Sequence, residues 1–229
     1  REIINKIVEL NNDEYVHGIM IQLPLPKNLA KYEREILDTI TPSKDVDGLT
    51  TMSSGKLSIG TDTFVPCTAL GIEMLLKAYD IKLTGKTVAI INRSNIVGKP
   101  LAELMLKNNA TPVICHSKTK NLKEITRKCD IVVAALNKKE HIDADYIEKS
   151  SVIIDVGVHK NAEGKTVGDV DYNAVIEKTE LITPPTGAVG PMTICMLAYN
   201  AAKSVYGEEI NEILKTGVEK AKEIIKQTN

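Results

Sequence analysis

Thr87-Val-Ala-Ile-Ile-Asn-Arg-Ser-Asn-Ile-Val-Gly98-Lys-Pro100 reads as a buried strand, a tight polar turn and the opening of a helix. Val88, Ala89, Ile90 and Ile91 form the unbroken apolar run expected of a parallel strand covered by helices on both faces. Pro100 suits a first helical turn, where its missing N–H costs nothing. Leu101, Leu104, Met105 and Leu106 supply the apolar stripe that would hold such a helix to a sheet. Asn92, Arg93, Ser94 and Gly98 fill the turn between them. A turn of this kind points unpaired N–H groups and the positive end of a helix dipole at one place, which favours a bound pyrophosphate. The pattern is N-x-S-x-x-x-G rather than G-x-G-x-x-G, and by spacing alone it fits an ordinary strand–turn–helix equally well.

The next apolar run tips the balance. Residues 111–116 read as a second strand, and Ser117, Lys118, Thr119 and Lys120 follow it. An NAD-binding unit places an acid about 20 residues beyond the phosphate loop to hold the ribose 2′-hydroxyl. A hydroxyl and a lysine stand there instead, and Arg93 adds a second cation, so the cofactor is read as NADP. A short helix over 121–127 and strands over 130–136 and 151–158 continue the alternation. The fold class is therefore α/β, a doubly wound parallel Rossmann-like sheet with right-handed crossovers, beside a smaller α/β unit.

With 229 residues the chain has room for one large domain or two modest ones. Apolar residues make up 43% and charged residues 26%, with a formal net charge of −1, which argues against a nucleic-acid surface or a polybasic membrane patch. No apolar run approaches the ~20 residues of a membrane span, and no signal peptide is visible, so a cytoplasmic chain is expected. Cys67, Cys115, Cys129 and Cys195 form no C-x-x-C pair and read as reduced thiols, with no metal centre. The chain opens on Arg1-Glu-Ile-Ile, already in helical rhythm through Ile7 and Leu10, so a segment upstream of it is expected.

Residues 17–26 read as a short strand running into a proline-stiffened loop, with Gln22 at the carboxyl end where ligands of open α/β sheets gather. A helix over 31–40 precedes a turn-rich loop, 41–49, whose Asp45 and Asp47 taken alone fit a solvated surface turn. An irregular stretch runs from there to Pro66. The helix over 69–79 is a bridge between domains. Residues 159–171 read as a polar loop. Residues 181–193 hold three prolines and two glycines, a stiff loop that fits either a cleft wall or a plain connection. Two helices, 191–206 and 208–226, close the chain, and the last is expected to fold back on the amino-terminal part. The expected domains are 1–66 plus 194–229, and 67–193.

Gly18-Ile-Met-Ile-Gln-Leu-Pro-Leu-Pro26, Lys44-Asp-Val-Asp-Gly48, Pro66-Cys-Thr68, Arg93-Ser-Asn-Ile-Val-Gly98 and Gly190-Pro-Met-Thr193 together resemble the bifunctional methylenetetrahydrofolate dehydrogenase/cyclohydrolase family, in order and spacing, over nearly the whole chain. The resemblance implies NADP-dependent oxidation of 5,10-methylenetetrahydrofolate, hydrolysis of the methenyl product to 10-formyltetrahydrofolate, and a homodimer. It implies that Asp47 binds the pterin, that Gln22 hydrogen-bonds the family's catalytic lysine, and that Leu23, Pro24, Gly190 and Pro191 line the folate site. On the cofactor side it implies NADP contacts from Asn92, Arg93, Ser94 and Ser117, with Val158 near the nicotinamide. Asn92 stands where the family usually has glycine, Ala69 where it has proline, and Thr183-Pro-Pro-Thr-Gly-Ala-Val-Gly190 where it has T-P-V-P-G-G-V-G. The family's lysine lies in a Y-x-x-x-K motif ahead of the glutamine. The tyrosine–lysine spacings around Tyr79 and Tyr146 stand elsewhere, so the motif is placed upstream of Arg1 and this chain is expected to have lost the hydrolysis. A dehydrogenase of another small substrate, or an inactive NADP-binding dimeric scaffold, are the alternatives.

Overall fold

A computed structural model describes residues 1–148 and 151–228. Its centre is a five-stranded, all-parallel sheet in the order β2-β1-β3-β4-β7, with β1 at Thr87–Ile91, β2 at Thr111–Cys115, β3 at Ile131–Ala134, β4 at Val152–Asp155 and β7 at Leu181–Ile182. Because side chains alternate along a strand, Val88 and Ile90 face one layer while Ala89 and Ile91 face the other. The first layer packs Val88, Ile90, Ile131 and Val133 against Ile72 and Leu76 of α4 (Cys67–Ala78) and Leu101 and Met105 of α5 (Gly98–Lys107). The second packs Ala89, Ile91, Val132 and Ile153 against Cys115, Ile142, Tyr146 and Val175. Around β1, β3 and β4 both faces are dry, which is why those strands are apolar at nearly every position rather than at every second one, while the edge strand β2 is partly exposed.

The chain runs from β1 through α5 to β2 on one side, then through α6 (Leu122–Arg127) to β3 on the other side of β1. That reversal of direction opens a crevice at the carboxyl ends of β1 and β3. Val88 pairs with Pro112 on one flank and Ile131 on the other, so the ends of the three strands lie level.

The amino-terminal part is built on α1 (Glu2–Asn12), whose Ile7 packs with Ile19, Ile36 and Ile40, the last two in and just beyond α2 (Glu33–Asp38). Lys44 Nζ donates to the carbonyls of Leu10, Asn11 and Asp13 at 2.9, 2.7 and 2.7 Å, satisfying the orphan acceptors at the end of α1 with a cation where the helix dipole is negative.

Four sequence expectations change. Residues 17–26 form no strand: Ile19 alone makes a parallel bridge, with Asp45, and Pro24 and Pro26 lack the N–H that would extend it. The stretch before Pro66 is not irregular throughout, since Thr51–Ser58 is a helix, α3, whose Thr50 cap accepts from Ser53 N–H. Its side chains are mostly polar, so it lacks an apolar stripe to read. The loop over 159–171 contains an antiparallel hairpin, β5 (His159–Lys160) with β6 (Thr166–Val167). Leu181 and Ile182, read as the start of a loop, pair with Val152 and Ile153 as the fifth strand.

After the short α7 (Tyr172–Val175) and β7 come two long helices, α8 (Val189–Tyr206) and α9 (Ile210–Thr228). α8 crosses α4 where Gly71 lets the backbone of Met192 approach, and α9 lies on α4 and α8 through Leu214 and Val218. Contact with the amino-terminal part comes from α8, whose buried Asn200 donates to Val46 O at 2.8 Å and Val65 O at 3.0 Å.

Candidate functional site

Two groups of predicted residues lie at the edges of this frame. At the carboxyl ends of β1, β2 and β3, Asn92, Arg93 and Ser117 line one cavity of about 320 Å³. Asn92 shapes its floor. Its amide donates to Ala135 O at 2.6 Å, and its Oδ1 accepts from Ser94 N at 2.7 Å and Gly98 N at 3.1 Å. Both ends of that side chain are thus committed to holding the turn. Gly98 is required there, since a Cβ would sit 2.3 Å from the Asn92 carbonyl oxygen. Ser94 Oγ accepts from Val97 N at 3.1 Å and finishes the turn. Arg93 and Ser117 are exposed at the rim. Val158 is 68% exposed beyond β4 and does not line this cavity.

The second group surrounds the Lys44-Asp-Val-Asp-Gly48 loop, and the structure separates its two acids. Asp45 is buried, accepting from Leu49 N at 3.1 Å, Thr50 N at 2.8 Å and Ser53 Oγ at 2.6 Å, so it builds the entrance to α3. Asp47 is only partly buried. Burial pushes its carboxyl above the usual aspartate range, with the Asp45 charge adding to the rise, while the thiol and backbone N–H of Cys67 pull it back. Burial and the Asp47 charge push the Cys67 thiol up in turn, so that sulfur is a weak donor rather than a nucleophile. Asn200 Nδ2 closes the cluster at 3.6 Å from Cys67 Sγ.

The stiff 181–193 loop delivers the first turn of α8 beside the first turn of α4, where Thr193 Oγ1 donates to Thr68 Oγ1 at 3.3 Å. Exposed Gly190 and Pro191 therefore lie in the neighbourhood of Cys67, the residue that touches Asp47. Gln22 is exposed, its amide donating to Leu23 O at 3.0 Å, and the Leu23–Pro24 peptide is cis. Because Ile19 and Asp45 are parallel neighbours, Gln22 and Asp47 leave that bridge toward the same end. One Y-x-x-x-K spacing does occur, Tyr199 to Lys203 on α8, correcting the placement of all tyrosine–lysine spacings at Tyr79 and Tyr146. Lys203 is tied to Asp62 at 2.5 Å and Glu208 at 3.4 Å, and Tyr199 to Asn211, so this pair staples helices.

Sequence reasoning missed the buried acids behind the cofactor side. Asp169 Oδ2 accepts from Leu136 N at 2.6 Å and Asn137 N at 3.0 Å, and Oδ1 from Lys138 N at 2.8 Å, with His159 Nε2 at 2.7 Å. Asp155 accepts from Gly157, Asp169 and Val170 N–H groups, although burial still pushes its carboxyl up. A signal was present: Asp155-Val-Gly157 and Gly168-Asp-Val170 each set an acid against a glycine at the edge of an apolar run. All four cysteines are unpaired thiols, with Cys67, Cys115 and Cys129 buried. Among the described residues no helix is long and apolar enough to cross a membrane, and no cluster of His, Cys, Asp or Glu could hold a metal ion.

A doubly wound parallel sheet with a basic crevice at its switch point, joined to a second unit that presents a partly buried carboxylate, defines a two-part nucleotide-dependent protein of the dehydrogenase class. Residues 66–208 match the NAD(P)-binding domain of the tetrahydrofolate dehydrogenase/cyclohydrolase family, and residues 1–47 match its catalytic domain. The chain belongs to that family. It is 48% identical over 203 residues to the bifunctional protein FolD of Bacillus subtilis, covering 89% of this chain and 71% of that one. FolD of Campylobacter fetus is 49% identical over 210 residues, 92% of this chain and 74% of the relative. Among solved structures, the FolD dehydrogenase/cyclohydrolase of Campylobacter jejuni aligns with a TM-score of 0.86 at 45% identity, covering 89% of this chain and 72% of that one. The Trypanosoma brucei enzyme, solved with NADP and an inhibitor, aligns with a TM-score of 0.81 at 33% identity, covering 89% and 71%.

Proposed function

We propose that this chain oxidises 5,10-methylenetetrahydrofolate with NADP and works in the one-carbon steps that lead to 10-formyltetrahydrofolate. The observation that carries the reading is the partition of the two acids in the 44–48 loop: Asp45 is consumed inside the fold, while Asp47 is left half-buried, with Cys67 as its hydrogen-bond partner. A pterin edge offers a ring N–H and an exocyclic amine side by side, and an ionised carboxylate accepts both in a fork. Leu23, Pro24, Gly190 and Pro191 would wall the same cleft, and Gln22 would orient a basic group within it.

The donor set at the sheet edge fits an NADP adenosine end, since Arg93 and Ser117 line a cavity that holds no carboxylate. Ser94 and the start of α5 would face the pyrophosphate, with Asn92 acting through the turn it holds, and Val158 would lie toward the nicotinamide. The bound cofactor supplies a hydride acceptor. The protein's part is to hold the folate carbon against it and exclude water. We assign the folate unit to 1–66 plus 194–229 and the cofactor unit to 67–193, and infer a homodimer in the cytoplasm, a setting that unpaired thiols suit.

The test is to mix the protein with 5,10-methylenetetrahydrofolate and NADP and follow NADPH and methenyl formation together. NADPH formed in step with methenyl plus 10-formyl product supports the reading, and no NADPH, or NADPH with neither folate product, would overturn it. Sedimentation of the same sample reads the dimer.

A further inference from the structure

The cavity at the ends of β1, β2 and β3 is lined by four basic side chains, Arg93, His116, Lys138 and His141, and by no aspartate or glutamate. Lys138 reaches it from an element distinct from the phosphate turn, the loop that follows β3. Its ammonium makes no hydrogen bond or ion pair among the described residues, and the same holds for the Arg93 guanidinium. Unpaired surface lysines are common and usually roam, but the backbone beneath this one is fixed. The N–H groups of Leu136, Asn137 and Lys138 all donate to the fully buried Asp169 carboxylate. Glu140 N donates to Gly168 O at 2.9 Å and His141 N to Asp169 O at 2.7 Å. Asn137 and Glu140 lie at φ of 55° and 48°, a left-handed conformation that Asn tolerates and that Glu adopts when its surroundings impose it. Gly168 makes this possible, since a Cβ there would lie 1.7 Å from Asp155 Oδ2.

We propose that Lys138 is a specificity-determining residue for the 2′-phosphate of the cofactor, presented from the loop clamped on Asp169 and acting together with Arg93 across the same cavity. The proposal rests on reading this cavity as the adenosine end. A phosphate monoester carries nearly two negative charges at neutral pH, more than a lone guanidinium neutralises, and an ammonium supplies the remainder as a point charge. Neither group has a carboxylate to leave before binding it.

The experiment uses adenosine 2′,5′-bisphosphate and adenosine 5′-monophosphate as probes, titrated calorimetrically into the unmodified chain and into Lys138→Ala, Lys138→Arg and Arg93→Ala. The quantity read is the ratio of the two dissociation constants. Lys138→Ala should lower the preference for the 2′-phosphorylated probe about tenfold, the usual scale for one charge-assisted contact, leave the monophosphate affinity unchanged, and be largely rescued in Lys138→Arg. Lys138 is exposed, so folding is not at stake, and matched melting curves verify it. A ratio unchanged in Lys138→Ala but lowered in Arg93→Ala overturns the role of Lys138 and leaves the site intact. A ratio unchanged in both overturns the reading of the cavity itself.

Discussion

Arg93 stands exposed at the rim of a cavity without carboxylates, free to meet a phosphate at no cost in broken ion pairs. Hydrogen bonds to charged groups contribute about 1.5–3 kcal/mol, so NADP should bind more tightly than NAD by that margin, and Arg93→Ala should erase most of it. Titrating both cofactors into both proteins checks this, and equal affinities in the unmodified chain would sink it. Asp47 carries a second prediction, in two parts. Asn keeps one acceptor oxygen but loses the ionised fork, so Asp47→Asn should weaken folate binding and leave NADP affinity unchanged. The same substitution should stabilise the fold. Burial raises the Asp47 pKa, so between the ordinary value of 3.8 and its raised folded value the native chain binds more protons than the unfolded one, and stability falls as pH rises through that window. Asp47→Asn removes this penalty. It should melt higher at pH 7, and the advantage should fade below pH 3.8, where both states are protonated. A lower melting temperature at pH 7 would mean that the Cys67 contacts outweigh the desolvation.

At the scale of elements, the turn from β1 into α5 depends on close approach of backbone to backbone. In Gly98→Ala the added methyl would meet the Asn92 carbonyl oxygen at 2.3 Å and the Arg93 nitrogen at 2.8 Å, neither of which is the end of a flexible side chain. Overpacking of this kind costs about 1–3 kcal/mol, so urea denaturation should show an earlier midpoint with an unchanged slope, and NADP affinity should fall with it. An unchanged midpoint would mean that the turn yields at no cost. β1 and β3 were legible because they are buried on both faces and therefore apolar almost throughout, β2 because its run stays apolar even at the part-exposed sheet edge, and the positions of Arg93 and Ser117 followed from counting onward. What escaped notice lacks periodicity. α3 is a helix held by its Thr50 cap and by the Asp45 carboxylate rather than by an apolar stripe. β7 contributes two residues, too few to alternate. Lys138 and Asp169 are 31 positions apart, and only the folded chain shows that one fixes the backbone of the other. The 17–26 stretch failed the opposite way, with an apolar pattern that promised a strand but only Ile19 paired.

The whole molecule holds the cavity at the sheet edge near Arg93 and the partly buried Asp47 in one frame, with α4 and α8 packed together at Gly71 and Met192 and α8 tied to the Asp47 loop through Asn200. Oxidation and hydrolysis place different demands on that frame. Oxidation moves a hydride from the folate methylene carbon to the cofactor, so it depends chiefly on holding two rings in contact. Hydrolysis needs a water brought to the methenyl carbon and its proton taken away, which calls for a basic group tuned near the working pH. On the proposed reading Gln22 would orient such a group; its amide bonds only the carbonyl of Leu23, and no lysine reaches it among the described residues. Lys203, which has the Y-x-x-x-K spacing, is a poor substitute. Burial lowers its pKa, but Asp62 and Glu208 outweigh that and raise it overall, so it stays protonated and tied in place. The 229-residue chain should therefore oxidise 5,10-methylenetetrahydrofolate measurably while hydrolysing added 5,10-methenyltetrahydrofolate little faster than buffer does. The two steps are separable by supplying each substrate alone and following methenyl absorbance. Rapid hydrolysis by this chain would show that one of its own side chains serves as the base, and Lys203→Met would then report whether the helix-stapling lysine is that side chain.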